Sequence, residues 1–548
     1  MSSSFRAGQV DRRTFLALSG SALGALALSS CSGKKSGSGG AKASADLKLP
    51  TYRAYKGVAP ELPGSELGLE PGFLSFPKDA VASVKAPPLK SDVSALTETF
   101  ATPPPPMGSN AMWQALNGAL GGKLRLVIGT DPGYPEKFAT LLASDSLPDL
   151  MWLPPNQDIP NIAPMLEAKF QDLTPHLSGD AVLEYPNLAA LKPASWKTAV
   201  VNGKIWGAPI PSTPFGQVMM GNPKVWKKVG GLQCHTAEEF LGKCKELSTN
   251  NKYALEPAVI NMIHMFSGWY GAPNSWSVGK DRSLTHLYET DAYRQAVEFA
   301  VKLWQAKVFY PDINLADATP RIVNGQIAAA VSSGPRDTKN YRALDPTLFV
   351  ETMIPFGWDG KAKPHHDMGY GTVGFTPFKK ASEGRIKELL ALINYLSAPF
   401  GTKEYLQKNY GNAGQQYSLD AKGSPVLTAA GNQQAPGLVS ALTIMSAPES
   451  VIFNAGHPED TRAIHATEER LLTMAVRNPT AGTYSDAQSK LGPKLTEAFR
   501  DTMLDIVTGR KKMSAYDEAL KRWRSGGGDK IRGEFEAVLP TSVPVSES

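Results

Sequence analysis

Apolar positions along the chain follow two different periods, and their order predicts an alternating fold. From Ser94, "SALTETFA" reads as a strand. "NAMWQALNGALGG" reads as a helix stopped by Gly121 and Gly122, because glycine alone takes the left-handed stop cheaply. "KLRLVIG" alternates and then runs apolar, as a strand does, "PEKFATLLASD" is helical, and "LPDLMWL" is a short buried strand. Strand, helix, strand, helix, strand argues for a parallel sheet with crossover helices. "GKIWGAPI" then follows as a strand-like link. Farther on, Tyr293, Ala296, Val297, Ala300, Leu303 and Trp304 share one helical face, as do Ile386, Leu389, Leu390, Ile393 and Leu396. The end of the chain is helix-rich. Ile464, Thr467, Leu471 and Ala475 form one stripe, and Leu495, Phe499, Met503 and Ile506 another, while Ser514 and Asp517 offer a cap before "EALKRW". Residues 46–90, rich in Pro and Gly, lack either period and read as an irregular N-terminal extension.

The first residues carry an address. In "DRRTFLALSGSALGALALSSC" the apolar run is shorter than the ~20 residues a membrane span needs, and Ser and Gly dilute it. Arg12 and Arg13, followed by Thr14, Phe15 and Leu16, resemble a twin-arginine export signal. Leu28, Ser29, Ser30 and Cys31 resemble a bacterial lipobox, which implies cleavage before Cys31 and a lipid on its thiol. Residues 1–30 are therefore expected to be a signal peptide. Residues 31–45, rich in Gly, Ser and Lys, form a flexible tether. This places the protein on the extracytoplasmic face of the cell membrane, held there by the lipid only.

Composition narrows the remaining classes. The chain has 548 residues, 42% hydrophobic and 20% charged, which is ordinary globular usage with room for two or more domains. Net charge is +6. Removing Arg6, Arg12, Arg13 and Asp11 with the signal leaves +4, too weak a field to imply nucleic acid or a polybasic membrane patch. Besides Cys31 there are Cys234 and Cys244. Thr236 and Glu239 look like a capping box, which would put Cys244 about two turns into a helix. A disulfide would require the preceding chain to fold back along that helix; two buried free thiols are the other reading.

Several stretches, taken in order, carry a family resemblance. "LPDLMWL", "NGKIWGAPIPSTPFGQVMMGNPKVWKKVG", "TAEEFLGKCKEL" and "NGQIAAAVSSG" resemble the extracellular solute-binding proteins, family 1, of ABC importers of sugars. "GWYGAPNSWSVGKDRSL" and "YGNAGQQYSLDAKGSPVLTAAG" resemble the larger, oligosaccharide-binding lipoprotein branch of that family. The resemblance implies an α/β, two-lobed periplasmic-binding-protein-like fold (type II) with a crossing-strand hinge. Crossings map near residues 212–216, 370–376 and 440–455. Lobe 1 is then expected over 91–213 and 375–445, and lobe 2 over 216–370 and 455–540. It further implies capture of a carbohydrate by cleft closure, delivery to ABC transporter permease subunits, and a monomer without a cofactor.

A sugar presents an apolar face and a rim of hydroxyls, so its site needs aromatic planes, carboxylates, amides and arginine forks at strand ends and loops. The expected ligand-binding residues are Trp152 after the third strand, Phe215 at a crossing, and Trp269, Tyr270, Asn274 and Trp276 in one Gly/Pro-broken loop. Arg336 after "SSG", Asp367 and Tyr370 before the second crossing, and Tyr417 complete the set. Trp206 and Trp304 are expected in the core. The enzyme alternative is a secreted glycoside-processing protein, which would need two paired carboxylates. No pairing is legible, nor is a serine nucleophile elbow. His365, His366 and Asp367 lack a further ligand at metal spacing, so "KAKPHHD" reads as a solvated loop and no metal is expected.

Overall fold

The computed structural model describes Ser44 and residues 46–546, apart from 131, 132, 145, 156–158, 160, 314 and 316. Cys31 and the export signal lie outside the described residues. The first sheet has three parallel strands, with Val93–Thr99 between Leu124–Thr130 and Leu150–Met151. The helix Ala111–Leu120 connects the first two. Asn110 caps it by accepting from the Trp113 N–H at 3.1 Å, and Gly121, at φ 80°, ends it. A cap of this kind contributes about 1 kcal/mol. Leu116, Leu120, Leu124 and Leu150 are buried together with Leu389, Ile393, Leu438 and Leu442, so two distant stretches build one core.

The second lobe is organised on a mixed sheet in which Ile327–Ser332 pairs antiparallel with Val218–Gly221 and parallel with Tyr253–Leu255. Helices Ala237–Leu247, Val259–Trp269, Asp291–Gln305 and Asp486–Val507 pack around it in the largest core. Cys234 and Cys244 both sit in that core as free thiols. The Thr236 hydroxyl accepts from the Glu239 N–H, which starts the helix carrying Cys244.

Two strands link the lobes. Gly207–Pro211 runs antiparallel to Thr372–Pro377. The pairing continues through Ser212 N–H to Gly371 O at 2.9 Å, Gly369 N–H to Pro214 O at 2.8 Å, and a Phe215–Met368 bridge. Two glycines permit this closeness. A Cβ at Gly216 would stand 2.1 Å from Asp367 O, and one at Gly374, whose φ is +136°, 2.0 Å from Leu153 O. Register also orients the lobes. Leu153 bridges Phe375 antiparallel, and Val218 pairs Ser332, so the C-terminal ends of the parallel strands in both lobes point at the crossings. That is where open α/β sheets hold their ligands.

Three expectations change. "KAKPHHD" is not a solvated loop throughout: His366–Met368 is a strand paired with Ala475–Arg477, and His366 is buried between them and Phe215. Ala475 therefore lies in a strand, beyond the end of the helix Pro458–Leu472 that carries Ile464 and Leu471. Tyr484, inside the stretch expected for lobe 2, packs with Trp206 and Ile162 of lobe 1, because the chain touches lobe 1 again before the helix Asp486–Val507.

The extension 46–90 holds both lobes. On lobe 1, Thr51 N–H donates to Gly179 O, Leu89 N–H to Leu120 O, and Ser83 to Glu404. Its middle reaches the other side of the crossing. Gly72–Phe73 pairs parallel with Ile452–Phe453, and the Glu70 N–H donates to the Glu468 carboxylate at 3.2 Å. Among the described residues, no helix is long and apolar enough to cross a membrane.

Candidate functional site

A cavity of about 1530 Å³ opens beside the crossing strands. Lobe 1 contributes Ala194, Lys197 and Thr198, the crossing contributes Gly216 and Gln217, and the extension contributes Leu67 at the rim. Lobe 2 supplies the long wall. Helix Val259–Trp269 presents Ile260, Asn261, His264, Met265 and Gly268, positions one turn apart on one face. Helix Asp486–Val507 presents Gln488, Gly492, Thr496 and Arg500, spaced four apart along one stripe. Toward its C-terminal end the same helix buries Phe499, Met503 and Ile506. One helix thus serves core and cavity at once.

The polar groups of this wall are interlocked. His264 Nε2 donates to Asp367 Oδ2 at 2.9 Å. Burial disfavours the imidazolium, but the hydrogen bond and charge of Asp367 outweigh burial and the opposing Arg500, so the pKa of His264 is raised. The neighbouring His366 goes the other way: burial, only partly offset by Asp367, lowers it to about 4, and its Nε2 has no protein partner. Arg500 Nη2 donates to Asn261 Oδ1 at 3.3 Å, and Arg477 Nη2 to Leu67 O. His365 Nδ1 lies 3.0 Å from Ala272 O. Among the described residues, no group of three His, Cys, Asp or Glu side chains could hold a metal ion.

Five of the ten expected ligand-binding residues border this cavity: Trp269, Asn274, Trp276, Asp367 and Tyr370. Their roles differ. Trp269 is 3% exposed, with Phe240, Phe266 and Phe356 rings at 5.2, 4.7 and 4.3 Å, so its faces are already covered. Trp276 is 4% exposed against His286, Trp523 and Phe535. Asn274 is buried, and its Nδ2 donates to Met368 O at 2.8 Å and Val476 O at 2.9 Å, clipping two strands together. Asp367 and Tyr370 keep part of their surface open.

The remaining five stand elsewhere. Trp152 is half-buried at the end of its strand, edge-on to Tyr134 at 5.0 Å, and its Nε1 donates to Val373 O. Phe215 is buried behind the crossing in a separate apolar cluster. Tyr270 stacks on Trp358 at 5.5 Å, and burial raises its hydroxyl to about 12. Arg336 is committed to Glu70 of the extension, with Nε 3.3 Å from Oε2, and to Ser450. Tyr417 is buried in the hairpin with Pro425–Leu427, beside Tyr410. Sequence reasoning missed His264, Arg477, Gln488, Thr496 and Arg500. Only the four-residue spacing of Gln488, Gly492, Thr496 and Arg500 carried a signal, and a polar stripe of that kind reads equally as a solvated face.

No protein-family model matches the chain. The polygalacturonan/rhamnogalacturonan-binding protein YtcQ of Bacillus subtilis (strain 168) is 22% identical over 428 residues, 74% of this chain and 83% of that protein. Among solved structures, an extracellular solute-binding protein from Bifidobacterium longum subsp. infantis superposes with a TM-score of 0.61 at 14% identity, covering 85% of this chain and 100% of that one. The N-glycan transport solute-binding protein NgtS of Streptococcus pneumoniae does so with a TM-score of 0.59 at 16% identity, over 82% and 98%. This chain therefore has the two-lobed fold of the extracellular solute-binding proteins, with its cavity beside the strands that join the lobes.

Proposed function

We propose that this chain is an extracytoplasmic solute-binding protein that captures an oligosaccharide between its lobes and delivers it to the permease of an ABC importer. The observation that carries this reading is the cavity of about 1530 Å³ beside two crossing strands. It exceeds the roughly 300–1,000 Å³ of common small-molecule sites and has room for several sugar units. The names of the relatives, for polygalacturonan, rhamnogalacturonan and N-glycan, support a glycan ligand. Asp367, Tyr370, His264 and Arg500 are the proposed polar contacts. Because each lobe holds part of the ligand, binding favours the closed form by the contacts made only there.

The test is calorimetric titration against a glycan panel, paired with small-angle scattering. A binder shows saturable heat, a smaller radius of gyration with ligand, and glycan returned unchanged by mass spectrometry. Turnover that is lost on mutating one carboxylate would replace this reading with a glycoside-processing enzyme. The lipid anchor is proposed from Cys31, and Cys31→Ala should release the protein from membranes. A mutant that fractionates with membranes as firmly as the parent removes the anchor from the proposal.

A further inference from the structure

The charge of the cavity wall differs from that of the chain. Overall, 57 Lys and Arg nearly balance 51 Asp and Glu. Among the described residues of the wall, Arg477 and Arg500 stand with a single carboxylate, Asp367. That carboxylate is engaged by His264 at 2.9 Å. Elsewhere, well-packed arginines find carboxylates: Arg342 with Asp460, Arg385 with Asp149 and Glu388, and Arg532 with Glu289. Arg477 and Arg500, both exposed along the cavity, donate to neutral acceptors, the Leu67 carbonyl and the Asn261 amide oxygen. They come from different elements, a strand end and the C-terminal half of a long helix, yet face one space.

Closing the lobes would withdraw both guanidinium groups from water. Desolvating a charge is costly unless an opposite charge arrives with it. A neutral glycan supplies hydroxyls only. A glycan carrying anionic groups supplies the missing charge and matches the guanidinium fork with two parallel hydrogen bonds. A concave wall with more positive than negative groups also concentrates such a ligand before it docks.

We infer that the cavity takes an anionic oligosaccharide, carrying carboxylate or sulfate groups, with Arg477 and Arg500 as its anion-recognising forks. This rests on the reading of the cavity as a glycan site. The experiment is calorimetric titration of the full chain with tetragalacturonate, its carboxyl-reduced neutral counterpart and a sulfated galacto-oligosaccharide, at low and high salt. The expected result is binding of one anionic probe at least roughly tenfold tighter than the neutral one, weakening as salt rises. Which anionic probe wins distinguishes a uronate from a sulfated ligand. Arg500→Gln and Arg477→Gln should each lower the anionic-to-neutral affinity ratio by roughly tenfold. Arg477→Lys, which keeps the charge and loses the fork, covers the case where Arg477→Gln does not fold. Equal or tighter binding of the neutral probe, or a ratio unmoved by the variants, overturns the inference. If none of the three probes binds, the inference also falls. A panel of neutral manno-, xylo- and malto-oligosaccharides then separates the cases: binding there leaves the glycan site standing, and silence removes that too.

Discussion

Trp269→Ala separates a core aromatic from a ligand platform. The indole is 3% exposed and closes a ring of Phe240, Phe266, Phe299 and Phe356, with centroids 4.3–6.2 Å away. Truncation removes the whole bicyclic group from a site whose walls are four other rings and helix backbone. Those walls cannot collapse without moving the helices Ala237–Leu247 and Asp291–Gln305 that carry Phe240 and Phe299. The cost should be about 3–5 kcal/mol of stability. If lobe 2 unfolds as one unit of roughly 250 residues, 2–4 °C per kcal/mol gives a Tm lowered by about 6–20 °C. The assay pairs calorimetric unfolding with ligand titration corrected for the folded fraction. Affinity per folded molecule should change little, since both faces of the ring are occupied by protein. A Tm within about 2 °C of the parent together with an affinity loss of tenfold or more would refute the core assignment and return Trp269 to the ligand.

Three further outcomes follow from titratable groups. The pKa of His264 is raised by Asp367, so this pair stabilises the fold fully below the unfolded histidine value of about 6.5, and the contribution is lost as pH rises through the folded value. Asp367→Asn should flatten that part of a Tm-versus-pH profile, and an unchanged slope would contradict the pairing. Burial, and then the adjoining Glu70 carboxylate, raise Glu468 far above the carboxylate range. Stability should therefore fall as pH rises from about 4.3 toward that raised value. Glu468→Gln should raise Tm at pH 8 and remove the slope; a lower Tm there would show that the carboxyl is needed as it stands. Burial also raises the thiols of Cys234 and Cys244. Neither should react with Ellman's reagent before unfolding, and reductant should leave Tm unchanged; a drop in Tm with reductant would reveal a disulfide.

Local pattern was enough for the elements of the first sheet and for the capped helix after Thr236. The alternation from Ser94 to Leu153, the glycine stop at Gly121 and the capped helix after Thr236 depend on neighbours within four residues, and the structure has them where the periods placed them. The same local reading could not assign side chains to cavity or core. Trp269 ends a helix beside a Gly/Pro-broken loop, a setting equally suited to a platform, and Phe240, Phe299 and Phe356 decide the matter from three other segments. Arg336 looked like a ligand fork until Glu70, from a stretch without any period, met it. The groups that do border the cavity owe their place to partners remote in the chain: Arg500 and Asn261 are 239 residues apart, and the extension reaches Glu468 across 398. Hydrophobic period determines which face of an element is buried, because that face repeats every turn or every second residue. What the opposite, polar face looks onto is set by which distant segment packs nearby, and that only the tertiary structure decided.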